Sequence, residues 1–167
     1  MILAILAAQV EWGPVVSIGY GDPYHWNWNE ERQEAAGLMA HWNVAPRLDL
    51  VGEIDVVFTQ PLGKGSDFLM AGVFFGACWT PEPSWIPHLT LAVGGAWTDN
   101  DNPPAAFEPL STHLNFGLHA GVGYFFQINE NVRMLLEVRF WHYSNADAKY
   151  ENRGLNTMLI ATGFLLR

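Results

Sequence analysis

Cysteine is nearly absent: Cys78 stands alone in 167 residues, so neither a disulfide framework nor a cysteine-based zinc site can organise the fold. Positive charge is scarce as well. Eight Lys and Arg against 17 Asp and Glu give a net charge of −9, which leaves no basic footprint for nucleic acid. Charged residues of both signs make up only 15% of the chain, while half of it is apolar and 14% aromatic, and a disordered polymer is thereby excluded. No apolar run reaches the roughly 18 to 20 residues of a membrane helix, because Gly, Pro or polar residues interrupt every candidate. A helical period of hydrophobic residues is also missing. What remains is a mean hydropathy of +0.06, high for a water-soluble chain and low for a helical membrane protein. A transmembrane β-barrel falls in that gap, since its strands turn only every second side chain to lipid.

Period-two alternation recurs along the chain. It is clearest at Val132 to Ser144, where Val132, Met134, Leu136, Val138 and Phe140 oppose Arg133, Glu137 and Arg139. Leu114 to Ile128 and Leu48 to Phe58 repeat it, and weaker versions occupy Val10 to Tyr20, Gly37 to Val44, Phe68 to Trp79, His88 to Trp97 and Asn156 to Arg167. These make eight strands. Longer connections at 21–36, 59–67, 98–113 and 145–155 alternate with short ones near Pro46, at 81–87 and at 129–131, so long loops fall on one rim and tight turns on the other. The expectation is one eight-stranded antiparallel up-and-down transmembrane barrel over residues 9–167, with residues 1–8 as a signal-sequence remnant or N-terminal extension.

Alternation alone leaves a soluble lipid-carrying barrel open, with its apolar face inward. Two features favour the inverted arrangement. The polar parity is rich in glycine, including Gly19, Gly72, Gly117 and Gly121, as a narrow interior requires. Aromatics of the apolar parity cluster at strand ends: Trp12, Trp42 and Trp79 at the short-turn rim, and Tyr20, Phe58 and Trp97 at the other. An eight-stranded barrel is too narrow for a pore, so Glu53, Asp55, Arg133, Glu137 and Arg139 are expected to pair inside it as packing, and no channel is expected. His41, His88, His119 and Cys78 fall on the same inward parity.

The pattern breaks at one place. His142 and Ser144 continue the lipid-facing parity beyond Phe140, and Asn156 heads the same parity of the last strand. If residues 145–155 close a hairpin, Asn156 returns beside His142 and three polar groups meet on the outer wall. A serine needs a base to take its proton, and the base needs an orienting partner. The spacing alone is more often that of interfacial polar residues bonding water and headgroups.

The residues around it are more specific. His142-Tyr143-Ser144-Asn145-Ala146 and Asn152-Arg153-Gly154-Leu155-Asn156 resemble the motif of the lipid A 3-O-deacylases of the PagL type, over about 15 residues of one hairpin. The resemblance implies a bacterial outer-membrane esterase acting on lipid A of lipopolysaccharide, with Ser144 as nucleophile and His142 as general base. It implies Asn145, Asn152 and Gly154 as positions that shape the oxyanion and substrate site, and the active site and long loops toward the cell exterior. The acyl chain would lie along Phe140, Val138 and Met158, and the chemistry calls for no metal or other cofactor. One position departs: family members carry Glu where this chain has Asn156, which can hold the imidazole tautomer but not stabilise imidazolium by charge. Asp147 and Glu151 are nearby carboxylates that could substitute. Phe164-Leu165-Leu166-Arg167 also lacks the terminal aromatic usual in outer-membrane barrels.

The competing expectation is a non-catalytic barrel with a structural or surface-binding role, which Asn156 and the loop residues Tyr24, Trp26, Trp28, Pro103 and Pro104 would suit. Arg32, Lys64, Lys149 and Arg153 could meet lipid phosphates, but their loops hold more acids, among them Glu30, Glu31, Glu34, Asp99 and Asp101. These charges read best as a solvated rim.

Overall fold

The computed structural model describes residues 10–22, 31–62, 67–99, 113–144 and 154–167. Eight strands account for most of them: β1 (Val10–Asp22), β2 (Glu31–Ala45), β3 (Leu48–Pro61), β4 (Phe68–Trp79), β5 (His88–Thr98), β6 (Leu114–Asn129), β7 (Val132–Ser144) and β8 (Leu155–Leu166). Each pairs antiparallel with its sequence neighbour, and β1 pairs with β8 to close the barrel. Closure matters because no strand is left with an unpaired edge in a medium that offers no water. Residues 1–8 lie outside the described residues.

The alternation faces as the aromatic and glycine pattern implies. Ile54, Phe75, Val93 and Ile160 on the outer wall are each about 60% exposed, whereas Glu53, Glu137, Arg139 and His119 in the lumen are at most 2% exposed. An apolar outside around a charged inside is stable only where the outside meets hydrocarbon, so this is a barrel of the outer-membrane type and the soluble alternative is set aside. Trp12 and Trp79 at one rim and Tyr20, Phe58 and Trp97 at the other stand exposed on the wall as two belts.

The lumen is packed by charge in its middle. The Arg139 Nη1–H donates to Glu53 at 2.5 Å and its Nε–H to Glu137 at 2.6 Å. Glu137 also accepts from Thr90 at 3.0 Å and sits 2.7 Å from His88 Nε2, and His119 lies 3.5 Å from both Glu53 and Glu137. Gly121 makes room for this cluster: a Cβ there would lie 2.3 Å from the Glu137 carboxyl carbon. Toward the short turns Glu11 pairs with Arg133 and Arg167, and Asp49 accepts from Asn43 at 2.9 Å beside His41 at 3.3 Å. Toward the long loops the plug is aromatic, with Phe74 stacked on Trp141 at 6.2 Å and edge-on to Tyr143 at 6.1 Å.

One strand is longer than its sequence pattern implies. β2 begins at Glu31 rather than Gly37, and the connection expected at 21–36 is correspondingly shorter. Over 31–37 the outward residues Arg32, Glu34 and Ala36 are no more apolar than the inward Glu31, Gln33, Ala35 and Gly37, so alternation carries no signal there. The ladder continues regardless, since Tyr20 pairs with Arg32 and Arg32 with Gln60. Strands β1 and β8 likewise run slightly past their expected ends, to Asp22 and from Leu155.

Removing Arg139 leaves two buried carboxylates without their guanidinium. Arg139→Met is expected to destabilise the barrel by about 3–5 kcal/mol. Reversible urea unfolding in detergent micelles or lipid vesicles measures it, and an unchanged midpoint would show that the lumen does not depend on this pair.

Candidate active site on the outer wall

The inward neighbours Trp141 and Tyr143, 0% and 1% exposed, anchor the upper end of β7 in the aromatic plug. Strand pleat then turns His142 and Ser144 to the outer wall. Their spacing along that face is about 6.7 Å, two strand rises. In the register of β7 with β8, His142 faces Asn156 and Phe140 faces Met158. The loop that closes the hairpin therefore sets nothing about this pair; the ladder does.

Asn156 approaches the imidazole closely. The His142 Nδ1–H donates to Asn156 Oδ1 at 2.8 Å, both residues half-buried. Because Oδ1 only accepts, this bond fixes the ring tautomer: Nδ1 carries the proton and Nε2 keeps its lone pair. A base with its lone pair on the far side from its orienter is what a neighbouring hydroxyl needs. Ser144, two residues further along the same strand and face, is 8% exposed.

Gly154 stands against the His142 ring. It is buried with φ +63°, and a Cβ built on it would lie 2.3 Å from His142 Cε1. Its backbone packs directly on the imidazole face, which requires both the left-handed conformation and the missing side chain. Asn145 and Asn152 lie outside the described residues, as do Asp147 and Glu151. Below the polar cluster the expected apolar wall is present: Val138 and Met158 are 47% and 39% exposed on the outside, with Phe140 half-buried between them and His142.

Two further neighbours come from β6. Phe116 pairs with Ser144 and Leu118 with His142, both outward and exposed, at 65% and 36%. Sequence reasoning missed them because only the β6–β7 register, slipped by the irregularity between Gln127 and Asn129, brings them to the site. The three lumen histidines and Cys78 are buried as expected. His113 stacks on Trp97 at 5.8 Å, and its Nδ1–H donates to the Thr98 carbonyl at 2.9 Å. Among the described residues no group of three His, Cys, Asp or Glu side chains is placed to hold a metal ion. His25, Tyr24, Trp26, Trp28, Pro103, Pro104, Lys64, Lys149 and Arg153 lie outside them.

Gly154→Ala should force the imidazole off Asn156 and add backbone strain of roughly 1–3 kcal/mol. The ¹⁵N signals of His142 report the result. Loss of the single Nδ1–H tautomer is expected, and its retention would show that Gly154 does not seat the ring.

Comparison with known proteins places this geometry in context. The family described as lipid A 3-O-deacylase (PagL) matches residues 15–164. Among solved structures, the chain is similar to the crystal structure of the outer membrane enzyme PagL, with 20% identity and a TM-score of 0.60 over 93% of this chain and 98% of that one. It is similar to Neisserial surface protein A, with 13% identity and a TM-score of 0.57 over 96% and 98% of the two chains. A de novo designed transmembrane β-barrel follows, with 14% identity and a TM-score of 0.54 over 93% and 95%. At such identities the structural likenesses establish the fold, and no curated sequence matches significantly.

Proposed function

Since the chain belongs to the lipid A 3-O-deacylase (PagL) family, we propose that it is a serine esterase of the bacterial outer membrane that releases the 3-O-linked acyl chain of lipid A. Ser144 is the nucleophile, His142 the general base and Asn156 the group that orients it. The observation that carries this reading is the 2.8 Å bond from His142 Nδ1–H to Asn156 Oδ1, made on the lipid-facing wall with Ser144 next along the same face.

The reaction runs as an acyl transfer. His142 Nε2 accepts the Ser144 proton as Oγ attacks the ester carbonyl, and the imidazolium then returns that proton to the leaving sugar oxygen. Water, deprotonated by the same nitrogen, attacks the acyl-enzyme carbonyl, and the imidazolium then returns that proton to Ser144 Oγ as the fatty acid leaves. Backbone N–H groups at the rim, with Asn145 or Asn152, are suited to hold the oxyanion. The scissile chain lies against Phe140, Val138 and Met158, and Phe116 flanks Ser144 from the β6 side. A site on the outer wall takes its lipid laterally, so the substrate need not leave the membrane. The long loops and this rim face the cell exterior, where lipopolysaccharide resides.

Asn156 limits the rate in this scheme. It holds the tautomer through Oδ1 but places no negative charge beside the imidazolium of the transition state. Asn156→Glu is therefore expected to raise kcat by roughly tenfold or more, equivalent to about 1.4 kcal/mol of barrier. Ser144→Ala should lower it by at least about 10³-fold.

Mass spectrometry of lipid A from a host lacking its own deacylase tests the assignment. Loss of one 3-hydroxyacyl chain is expected with the native protein and not with Ser144→Ala. Unchanged lipid A in the presence of a folded native protein, and again with Asn156→Glu, would leave a non-catalytic surface barrel as the reading.

A further inference from the structure

Strand tilt decides which residues lie beneath the candidate site. A row of register partners that leaves β1 at Gly21 toward β8 returns to β1 at Glu11, ten residues nearer the short-turn rim. Spread over eight strands, that offset tilts each strand by about 40° from the barrel axis. A line dropped from His142 along the axis therefore leaves β7. Two residues down and one strand across it meets Ala120 on β6, about 8 Å lower, and the same step again meets Leu89 on β5. The parallel line from Ser144 passes Leu118 and then Leu91.

Ala120 is a low point on this wall. Its outward neighbours along β6 are Leu118 and Val122, and its register partners are Phe140 on β7 and Leu91 on β5, all of them larger. Leu118, Val122 and Leu91 stand exposed, while Ala120 is half-buried among them. The dent opens directly beneath the imidazole. Phe140, backed by Val138 and Met158, bounds it on one side, and Leu118 and Leu91 bound it on the other. Strands β7 and β5 are two spacings apart, about 10 Å, which leaves room for one hydrocarbon chain over the intervening alanine. A similar dent at Ala36, between Val16 and Val56, lies three strands from β7 in the other direction and does not adjoin the site.

We propose that Ala120 seats the far part of the acyl chain whose ester Ser144 attacks, and that it sets the chain length the site prefers. This rests on the deacylase reading above. The reach is short: Ala120 lies on the strand adjacent to Ser144 and about 13 Å below it, roughly ten carbons of an extended chain. An ester carbonyl held at Ser144 Oγ sends its chain into the hydrocarbon, and strand tilt brings that path over β6 beside Phe140. A chain shorter than this depth ends above the alanine and is indifferent to it. A longer chain crosses it and makes apolar contact with Phe140 and Leu91. A larger side chain at position 120 lifts the longer chain off both.

Acyl release from glucosamine esters with one 3-hydroxyacyl chain at O3, of about eight or about fourteen carbons, tests the seat. Ala120→Leu is expected to raise KM for the longer ester about fivefold, with the shorter ester and both kcat values unchanged. Ala36→Leu fills the remote dent and should change neither ester. An equal change for both esters in Ala120→Leu, no change, or the same length-dependent change in Ala36→Leu overturns the seat. Native mass spectrometry of the Ser144→Ala protein in detergent micelles follows binding of the two esters without turnover. The longer ester is expected to bind more tightly, and adding Ala120→Leu should remove that advantage. Equally strong Ala120-dependent binding of phosphatidylglycerol also overturns the seat, because the dent would then take any lipid chain. Release without an Ala120-dependent length preference refutes the seat alone. Ala120-dependent length preference in binding, without release of either ester, refutes the deacylase reading alone.

Discussion

In a hydrocarbon medium every backbone N–H and C=O must find its partner within the protein, and eight antiparallel strands satisfy this only by closing on themselves. The β1–β8 ladder is that closure. Once it exists, register is no longer free, because a slip of one residue on any strand would turn charges outward and apolar side chains inward. The arrangement of the outer wall follows from this constraint. His142 meets Asn156 because the β7–β8 ladder fixes that pairing to the residue.

The lumen pays for the inversion. Buried carboxylates and a guanidinium are stable there only as a connected set, and Arg139 between Glu53 and Glu137 joins β7 to β3 across the barrel. Glycines such as Gly121 give the set its room. Nearer the long loops Trp141, Tyr143 and Phe74 add aromatic packing at the end where Glu31 and Asp55 are also buried. That plug packs where β7 ends, behind the backbone presenting His142 and Ser144 on the other face. Interior packing and exterior chemistry are thus the two parities of one strand.

The site joins a local relation within one strand to a long-range contact between two. Ser144 and His142 share a strand, so their relation is set by pleat alone. Asn156 and Gly154 approach from the far side of the hairpin and act on the ring in different ways, one through a hydrogen bond and the other through an absent side chain. An amide in the orienting position fixes the proton on Nδ1 without adding charge, which separates the two tasks that a carboxylate performs together.

Much of this was legible in the residues themselves. Period two gave the eight strands and their faces, because lipid and lumen impose opposite polarity on alternate positions. The His142, Ser144 and Asn156 motif was visible because polar residues interrupt an apolar parity at that point. Where the two parities do not differ in polarity, as over residues 31–37, the pattern was silent and the start of β2 was misplaced. The seating of Gly154 on the imidazole and the flank of Phe116 and Leu118 were decided only by the tertiary structure. Each depends on which residues of different strands lie side by side. Sequence specifies alternation within a strand, but the alignment between strands is settled by closure of the whole barrel.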